Sequence, residues 1–299
     1  MPHARSLLSL RQLGRDDLER LWIAAAGWQE QRTRRRARFA DRRVATIFEG
    51  PAMRTRLAFD AAIDAVGAHR VDLPLTLGAR EPVADTAAVL SGAVDAVVVR
   101  VPAHATLLEL ADACAVPVVN AMTDAGHPVE IFSEAFSVLQ RRGPLDDLVV
   151  VFVGADTNTL RSWCELTVPF GLTVRQVCPP GRELPAQVRD ELAGGGAAGR
   201  VEVSHDLADV AGADVLYTDV WPKAAQTPGA DREAFVPFRI TTEVLDRAGP
   251  RSLLMHAMPV RRGDEVSAGA FADPRCVPLA AKRNLPPSHA AIVEWVLGG

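Results

Sequence analysis

Residues 48–67, FEGPAMRTRLAFDAAIDAVG, decide how this chain is read. The run RVATIF (43–48) leading into them has the continuous apolar character of a buried strand. After it, Phe59, Ala62, Ile63 and Val66 recur at the i, i+3, i+4, i+7 spacing of a helix, and Gly67 stands where a helix C′ residue belongs. Between strand and helix lies a tight Gly50-Pro51 turn, so Arg54 and Thr55 fall in the helix's first turn. Backbone N–H groups are unpaired there and the dipole is positive, which favours an anion. An arginine at that place adds a two-pronged donor for phosphate or carboxylate. The same residue also reads as an exposed arginine on a solvated helix.

Outward from this unit, strands and helices alternate. Further strands are expected at 69–73, 95–101 and 116–121, with helices at 54–66, 85–93 and 104–114. A second series begins after Arg142-Gly143-Pro144, a plausible hinge. Strands are expected at 147–154, 172–179, 200–205, 214–221 and 251–259, with helices at about 157–170, 185–193 and 287–297. Apolar strands separated by helices predict an α/β fold, two domains each with a central parallel sheet flanked by helices. The expected boundaries are 1–143 for an anion-binding domain, 144–279 for a second binding domain, and 280–299 for a last helix.

At 299 residues, 48% hydrophobic and 23% charged, the chain has the composition of a soluble globular protein, and its mean hydropathy is +0.07. No apolar run approaches a membrane span, and no secretory signal is evident at the N-terminus, so a cytoplasmic protein is expected. The net charge of −4 argues against nucleic acid as a partner, although QRTRRRARFADRR (31–43) is locally basic. Cys114, Cys164, Cys178 and Cys276 lie far apart and read as reduced thiols. The seven histidines show no metal-ligand spacing, so no metal is expected.

Ligands of such sheets gather beyond the carboxyl ends of strands. Those positions carry Arg54-Thr55-Arg56, Arg100, His127-Pro128-Val129-Glu130, Asn158, Asp219, His256-Ala257-Met258-Pro259 and, near the chain's end, Arg283. Arginines with a histidine suit an anionic ligand with a polarisable oxygen, and Asn158 with Asp219 suits an amino-acid head group or an amine. Each residue also has a structural reading. His127 could cap the helix after it, Glu130 is favoured by that helix's dipole, His256 could be a satisfied core histidine, Asp219 a turn residue, and Lys223 a solvated loop cation.

The motifs in order resemble those of the aspartate/ornithine carbamoyltransferase family, its ornithine branch in particular. FEGPAMRTRLAF resembles the family's phosphate loop, and LGAREPVADTAAVLS its L-G-x-x-E-S-x-x-D-T-A segment. HPVEIFSEAFSV, VGADTNTLRSW, YTDVW and LLMHAMPVRRGDEV each match a family motif at the right spacing. The resemblance implies that carbamoyl phosphate is attacked at its carbonyl carbon by a neutral amine. Arg54 and the backbone N–H groups near Ala52 and Met53 would hold the phosphate. Thr55, Arg100 and His127 would face the developing oxyanion, where losing one donor typically costs about 10²–10³ in rate. Asn158, Asp219 and the His256-Ala257-Met258 stretch would position the acceptor, and Arg283 would close the site. Arg80 would be donated to a neighbour's site in a homotrimer. No cofactor is implied, and the last helix would return to the first domain.

Departures from the family pattern cluster where its chemistry happens. The phosphate loop's serine and first threonine are Ala52 and Met53, the glutamine after His-Pro is Glu130, the cysteine of H-C-L-P is Ala257 with Met258 for the leucine, and S-M-G is replaced by Lys223-Ala224-Ala225. A hydrogen bond to a charged group is worth roughly 1.5–3 kcal/mol, so each lost hydroxyl predicts weaker anion binding. Glu130 at about 4 Å from a dianion would cost roughly 4 kcal/mol at an effective dielectric near 20, unless a cation offsets it. Lys223 suits an additional anionic group on the acceptor. These changes predict a carbamoyltransferase for an amine other than ornithine, in specialised metabolism. The alternatives are a diverged enzyme for another anionic or ureido- or guanidino-bearing substrate with Glu130 as acid/base, and a non-catalytic binding subunit.

Overall fold

A computed structural model describes residues 5–30, 38–193, 196–221 and 232–298. The chain forms two compact units, Met1–Phe136 with Arg283–Gly299, and Ser137–Lys282. The division falls inside a helix, ahead of the expected hinge at Gly143.

In the first unit, α1 (Arg15–Glu30) precedes β1 (Arg43–Phe48), α2 (Met53–Val66), β2 (His69–Asp72), α3 (Val83–Ala93), β3 (Ala96–Arg100), α4 (His104–Ala113), β4 (Val118–Met122) and α5 (Pro128–Arg142). The four strands are parallel in the order β2-β1-β3-β4. Parallel strands buried on both faces must be apolar throughout, and AVVVR of β3 is such a run. Ala45, Ile47, Val97 and Val99 share one core with Val83, Ala87 and Leu90 of α3 and Leu107 and Leu110 of α4. Gly67 ends α2 with φ 83°, a left-handed conformation that glycine adopts without strain, and its N–H returns to the last turn.

The second unit contains β5 (Val149–Val153), α6 (Asn158–Glu165), β6 (Thr173–Val177), α7 (Ala186–Ala193), β7 (Arg200–Ser204), β8 (Val215–Thr218), α8 (Arg232–Phe235), α9 (Thr242–Ala248), β9 (Leu253–His256), α10 (Ala268–Ala272) and α11 (Pro278–Ala281). Its five parallel strands run β7-β6-β5-β8-β9. Helix α6 is shorter than expected: Thr157 caps it through the Leu160 N–H, and the chain leaves the helix at Leu166 instead of continuing to Phe170. Among the described residues no helix is long and apolar enough to cross a membrane.

The last helix, α12 (Leu285–Val296), packs on α2 and α1 in the first unit. Buried side chains fix it there. Trp28 on α1 donates its indole N–H to Glu294 Oε2 at 2.9 Å, and Arg38 pairs with the same carboxylate. Phe59 of α2 stacks on the His289 ring at 4.2 Å and meets Phe48 at 6.5 Å. Helix α1, which the strand pattern does not require, completes this layer: Trp22 stacks on Phe132 and donates to its carbonyl at 3.0 Å.

Phe59 is fully buried at this three-way contact. Phe59→Ala is expected to cost about 3–5 kcal/mol of stability, the range for deleting a buried aromatic ring. Phe59→Leu is expected to cost clearly less, and denaturant titration of the two variants tests the difference.

Candidate active site

In each sheet the strand order reverses direction once, and that switch point is where a crevice opens beyond the strand ends. In the first unit it lies between β1 and β3, which pair with Phe48 opposite Arg100. The chain after Phe48 becomes the first turn of α2, so Arg54, Thr55 and Arg100 are delivered to one edge by register alone. Ala52 occupies the N-cap and offers no side-chain cap. A serine there would bond the helix's own N–H groups; alanine leaves them to an anion. The Thr55 side chain is buried, Arg54 is half-buried, and the Met53 side chain is 65% exposed, so only the Met53 backbone is directed by the helix start.

Arg56 is placed differently. Its guanidinium donates to the Phe48 carbonyl at 2.8 Å, lies over the Phe48 ring and approaches Asp72 at 3.6 Å. It braces the end of β1 and leaves Arg54 and Arg100 as the site's cations. Burial lowers the Arg100 guanidinium from its ordinary value; Glu130 opposes that, while Arg54 and Arg56 add to it. Glu130, Arg54 and Arg56 therefore all lie within electrostatic reach of Arg100.

His127 and Glu130 come from the loop after β4 and the first turn of α5. Both are almost fully buried, with His127 Nε2 3.8 Å from Glu130 Oε2. The carboxylate sits at a helix N-terminus, where the dipole favours it. His289 of α12 joins this group and carries no motif that sequence reading could have used. Complete burial pushes its imidazole down to about 3, with Glu130 acting against the shift and His127 adding to it. It is therefore a neutral ring beside the Glu130 carboxylate.

In the second unit the switch point lies between β5 and β8, with Val153 opposite Thr218. Asn158 opens α6 just after β5, and Asp219 follows β8. Thr159 donates its hydroxyl to Asp219 Oδ2 at 2.9 Å, and the Val220 N–H donates to Oδ1 at 2.7 Å, which fixes the carboxylate at the sheet edge.

Two expected site residues are placed otherwise. His256 is buried with both ring nitrogens engaged: Nδ1 accepts the Met258 N–H at 2.6 Å, and Nε2 donates to Glu265 Oε1 at 3.1 Å. It holds the turn Ala257-Met258-Pro259, where Met258 has φ 62° and the next peptide is cis. Ala257 and Met258 are half-buried. Arg283 is exposed and lines a groove of about 860 Å³ with Trp28, Asp64 and Pro287. Asp64 lies ten residues beyond Arg54 on α2, about 15 Å along the helix axis. The structure thus sets Arg283 at the opposite end of α2 from the anion site, because the turn before α12 follows that helix's C-terminal half. Arg80 is exposed on the loop between β2 and α3, lining a separate cavity of about 660 Å³ with Pro74 and Glu81. Lys223 lies outside the described residues.

These features can be set beside known proteins. Residues 5–140 match the family described as aspartate/ornithine carbamoyltransferase, carbamoyl-P binding domain, and residues 146–296 match the Asp/Orn binding domain of the same family. The chain belongs to the aspartate/ornithine carbamoyltransferase family. An ornithine carbamoyltransferase of Chromohalobacter salexigens is 36% identical over 267 residues, covering 87% of this chain and 86% of the relative. One from Desulfotalea psychrophila is 31% identical over 299 residues, covering 98% and 99%. Among solved structures, ornithine carbamoyltransferase from Pyrococcus furiosus superposes with a TM-score of 0.90 at 30% identity, covering 99% of this chain and 98% of that one. This family member is accordingly a carbamoyltransferase-type transferase, with the two-domain parallel-sheet fold and returning helix that its sequence predicts.

Two outcomes follow from the histidines. His256→Ala removes the Met258 and Glu265 contacts and is expected to destabilise the chain by about 1–3 kcal/mol, the cost of orphaning a buried polar group, as read by chemical denaturation. For His289, the ring's folded value of about 3 lies below its ordinary 6.5. The unfolded chain therefore binds the proton first, and stability falls as pH drops through that window. Between pH 7 and 5 this contributes a loss of about 2 kcal/mol. His289→Gln is expected to flatten that part of the stability-against-pH curve, whatever its effect on absolute stability.

Proposed function

We propose that this protein transfers the carbamoyl group of carbamoyl phosphate to an amine other than ornithine, in specialised metabolism. Supporting this is one observation above all: a buried carboxylate, Glu130, lies 3.8 Å from His127 and within electrostatic reach of Arg100, where the family's motif carries an amide. The first unit's anion site remains consistent with the donor. The uncapped start of α2 and Arg54 would hold the phosphate. Thr55, Arg100 and His127 would stabilise the negative charge that grows on the carbonyl oxygen as the amine attacks, and phosphate would leave with the electron pair of the broken C–O bond. Positioning and charge complementarity then supply most of the acceleration. Glu130 would accept from the carbamoyl NH₂, with Arg100 offsetting its charge.

Asn158 and Asp219 would take the acceptor's amino-acid end. Ala257, Met258 and the Lys223 segment replace the ornithine-branch residues and would set the side chain that is accepted. A cytoplasmic homotrimer is part of the same reading, Arg80 serving a neighbouring subunit; sedimentation of the purified chain addresses the oligomer.

A second reading rests on the same carboxylate. Glu130, with His127 Nε2 3.8 Å away, would act as a general acid/base on a different anionic substrate. Glu130→Gln separates the two. If the carboxylate only orients the carbamoyl group, the amide keeps an acceptor oxygen and removes a negative charge, so carbamoyl phosphate binds more tightly by calorimetry. Collapse of activity with donor binding unchanged favours acid/base chemistry. Arg54→Ala is expected to weaken donor binding roughly 10- to 100-fold, the loss of one charge-assisted contact. A mass-based screen of amines should find ureido products from acceptors other than ornithine. Efficient carbamoylation of ornithine would overturn the proposed specificity.

A further inference from the structure

At the outer side of the second unit's sheet, three residues remote in sequence come together. Strands β6 and β7 pair in parallel with Val177 opposite Ser204. The ladder continues one step, the Cys178 N–H donating to the Ser204 carbonyl at 3.1 Å. Cys178 and His205 thus emerge side by side from adjacent strands, which lie about 4.8 Å apart. The loop after Cys178 folds back and adds Glu183. It is pinned from within the sheet by Gln176, whose side chain donates to the Arg182 carbonyl at 3.1 Å and accepts the Leu184 N–H at 2.7 Å. Cys178 Sγ, a Glu183 carboxylate oxygen and a His205 ring nitrogen all lie within 4.8 Å of one another. Among the described residues this is the one group of three or more His, Cys, Asp or Glu with that spacing.

We propose that Cys178, Glu183 and His205 form a binding site for a thiophilic divalent cation of the zinc class.

Three features favour a cation over an ordinary polar cluster. First, the tautomer of His205 is fixed. Its Nδ1 lies 2.9 Å from the Cys178 carbonyl oxygen. A carbonyl only accepts, so Nδ1 carries the proton and Nε2 presents its lone pair, the arrangement by which metal-bound histidines are oriented. Second, the Glu183 carboxylate lies at the surface and is held by the backbone N–H groups of Glu183, Gly181 and Arg182, while its Oε2 has no hydrogen-bond partner and can take a cation. Third, the charges close: a divalent ion with a thiolate and a carboxylate is neutral. Binding exchanges the Cys178 proton for the metal, so one proton leaves as the sulfur–metal bond forms. Sulfur and nitrogen donors select zinc-class ions over magnesium or calcium, which want oxygen. Three protein ligands leave a fourth tetrahedral position for water. The site belongs to the second unit alone and does not depend on which amine that unit accepts.

The test uses the full chain, purified, stripped with a chelator and titrated with Co²⁺, whose bonds to sulfur give a thiolate charge-transfer absorption. The expected result is that absorption at one Co²⁺ per chain, abolished by stoichiometric Zn²⁺. It is lost in Cys178→Ser and in His205→Ala; the second changes an exposed side chain, and circular dichroism checks that the fold survives loss of its bond to the Cys178 carbonyl. Glu183→Gln removes a ligand's charge and is expected to weaken Co²⁺ binding by at least the roughly 10- to 100-fold that losing a group merely supporting a ligand costs. No thiolate band at micromolar Co²⁺, or a band that persists in His205→Ala, overturns the proposal.

Discussion

The pairing of Phe48 with Arg100 across β1 and β3 is the contact on which the first unit's chemistry depends. It fixes the strand that ends in Arg100 beside the strand that runs into α2, and so brings like charges together. Burial lowers the Arg100 guanidinium, and Arg54 and Arg56 lie close enough to add to that lowering. Two devices make this tolerable. Arg56 is drawn off to the Phe48 carbonyl and Asp72, and Glu130 supplies the opposite charge. What remains is a surplus of positive potential at a helix start without a side-chain cap, and an anion would relieve it. Selectivity for charge is thus built in before any particular ligand is considered.

Glu130 is the pivot of that balance. Buried carboxylates are costly unless paired, and this one has the start of α5, His127 and Arg100 around it. Beside it His289 stays neutral because burial outweighs the attraction of the carboxylate. His289 therefore does not cancel the negative charge, and Arg100 remains a cation within its reach. An amide at the same position would leave the arginines less compensated and the anion site more positive. Exchanging amide for carboxylate would retune the charge along this edge of the sheet.

Much of this was legible in the sequence because buried parallel strands leave a direct trace. RVATIF, DAVVVRV and DLVVVFVG are apolar runs of strand length, and each occurs where β1, β3 and β5 lie. The arginine clamp was readable for the same reason, since a strand, a Gly-Pro turn and a helical stripe locate a helix start without any tertiary information. Legibility ended where a residue's role depends on what packs on it from elsewhere. His289 has no motif, and only the return of α12 onto α2 brings it to Glu130. His256 sits in a family motif, yet Glu265 and the Met258 N–H already occupy its ring. Arg283 is near the right helix but at its far end. Cys178 and His205 are separated by a whole helix and strand, and their meeting follows from a β-register that no local pattern encodes.

The second unit repeats the first unit's device with different charges. Its switch point presents Asn158 and Asp219 where the first presents Arg54 and Arg100, a donor-acceptor amide and an anion in place of two cations. Asp219 already receives two protein hydrogen bonds, one on each oxygen. Each carboxylate oxygen can accept twice, so the carboxylate is held in one orientation while keeping a lone pair per oxygen for a ligand ammonium. Under the proposed function that geometry would suit the shared part of an amino acid, whatever its side chain. In the proposed reading, discrimination would come from the positions that depart from the ornithine pattern in sequence, Ala257 and Met258 among them. A fixed head-group anchor with an altered surround would let a fold change its acceptor while keeping its reaction.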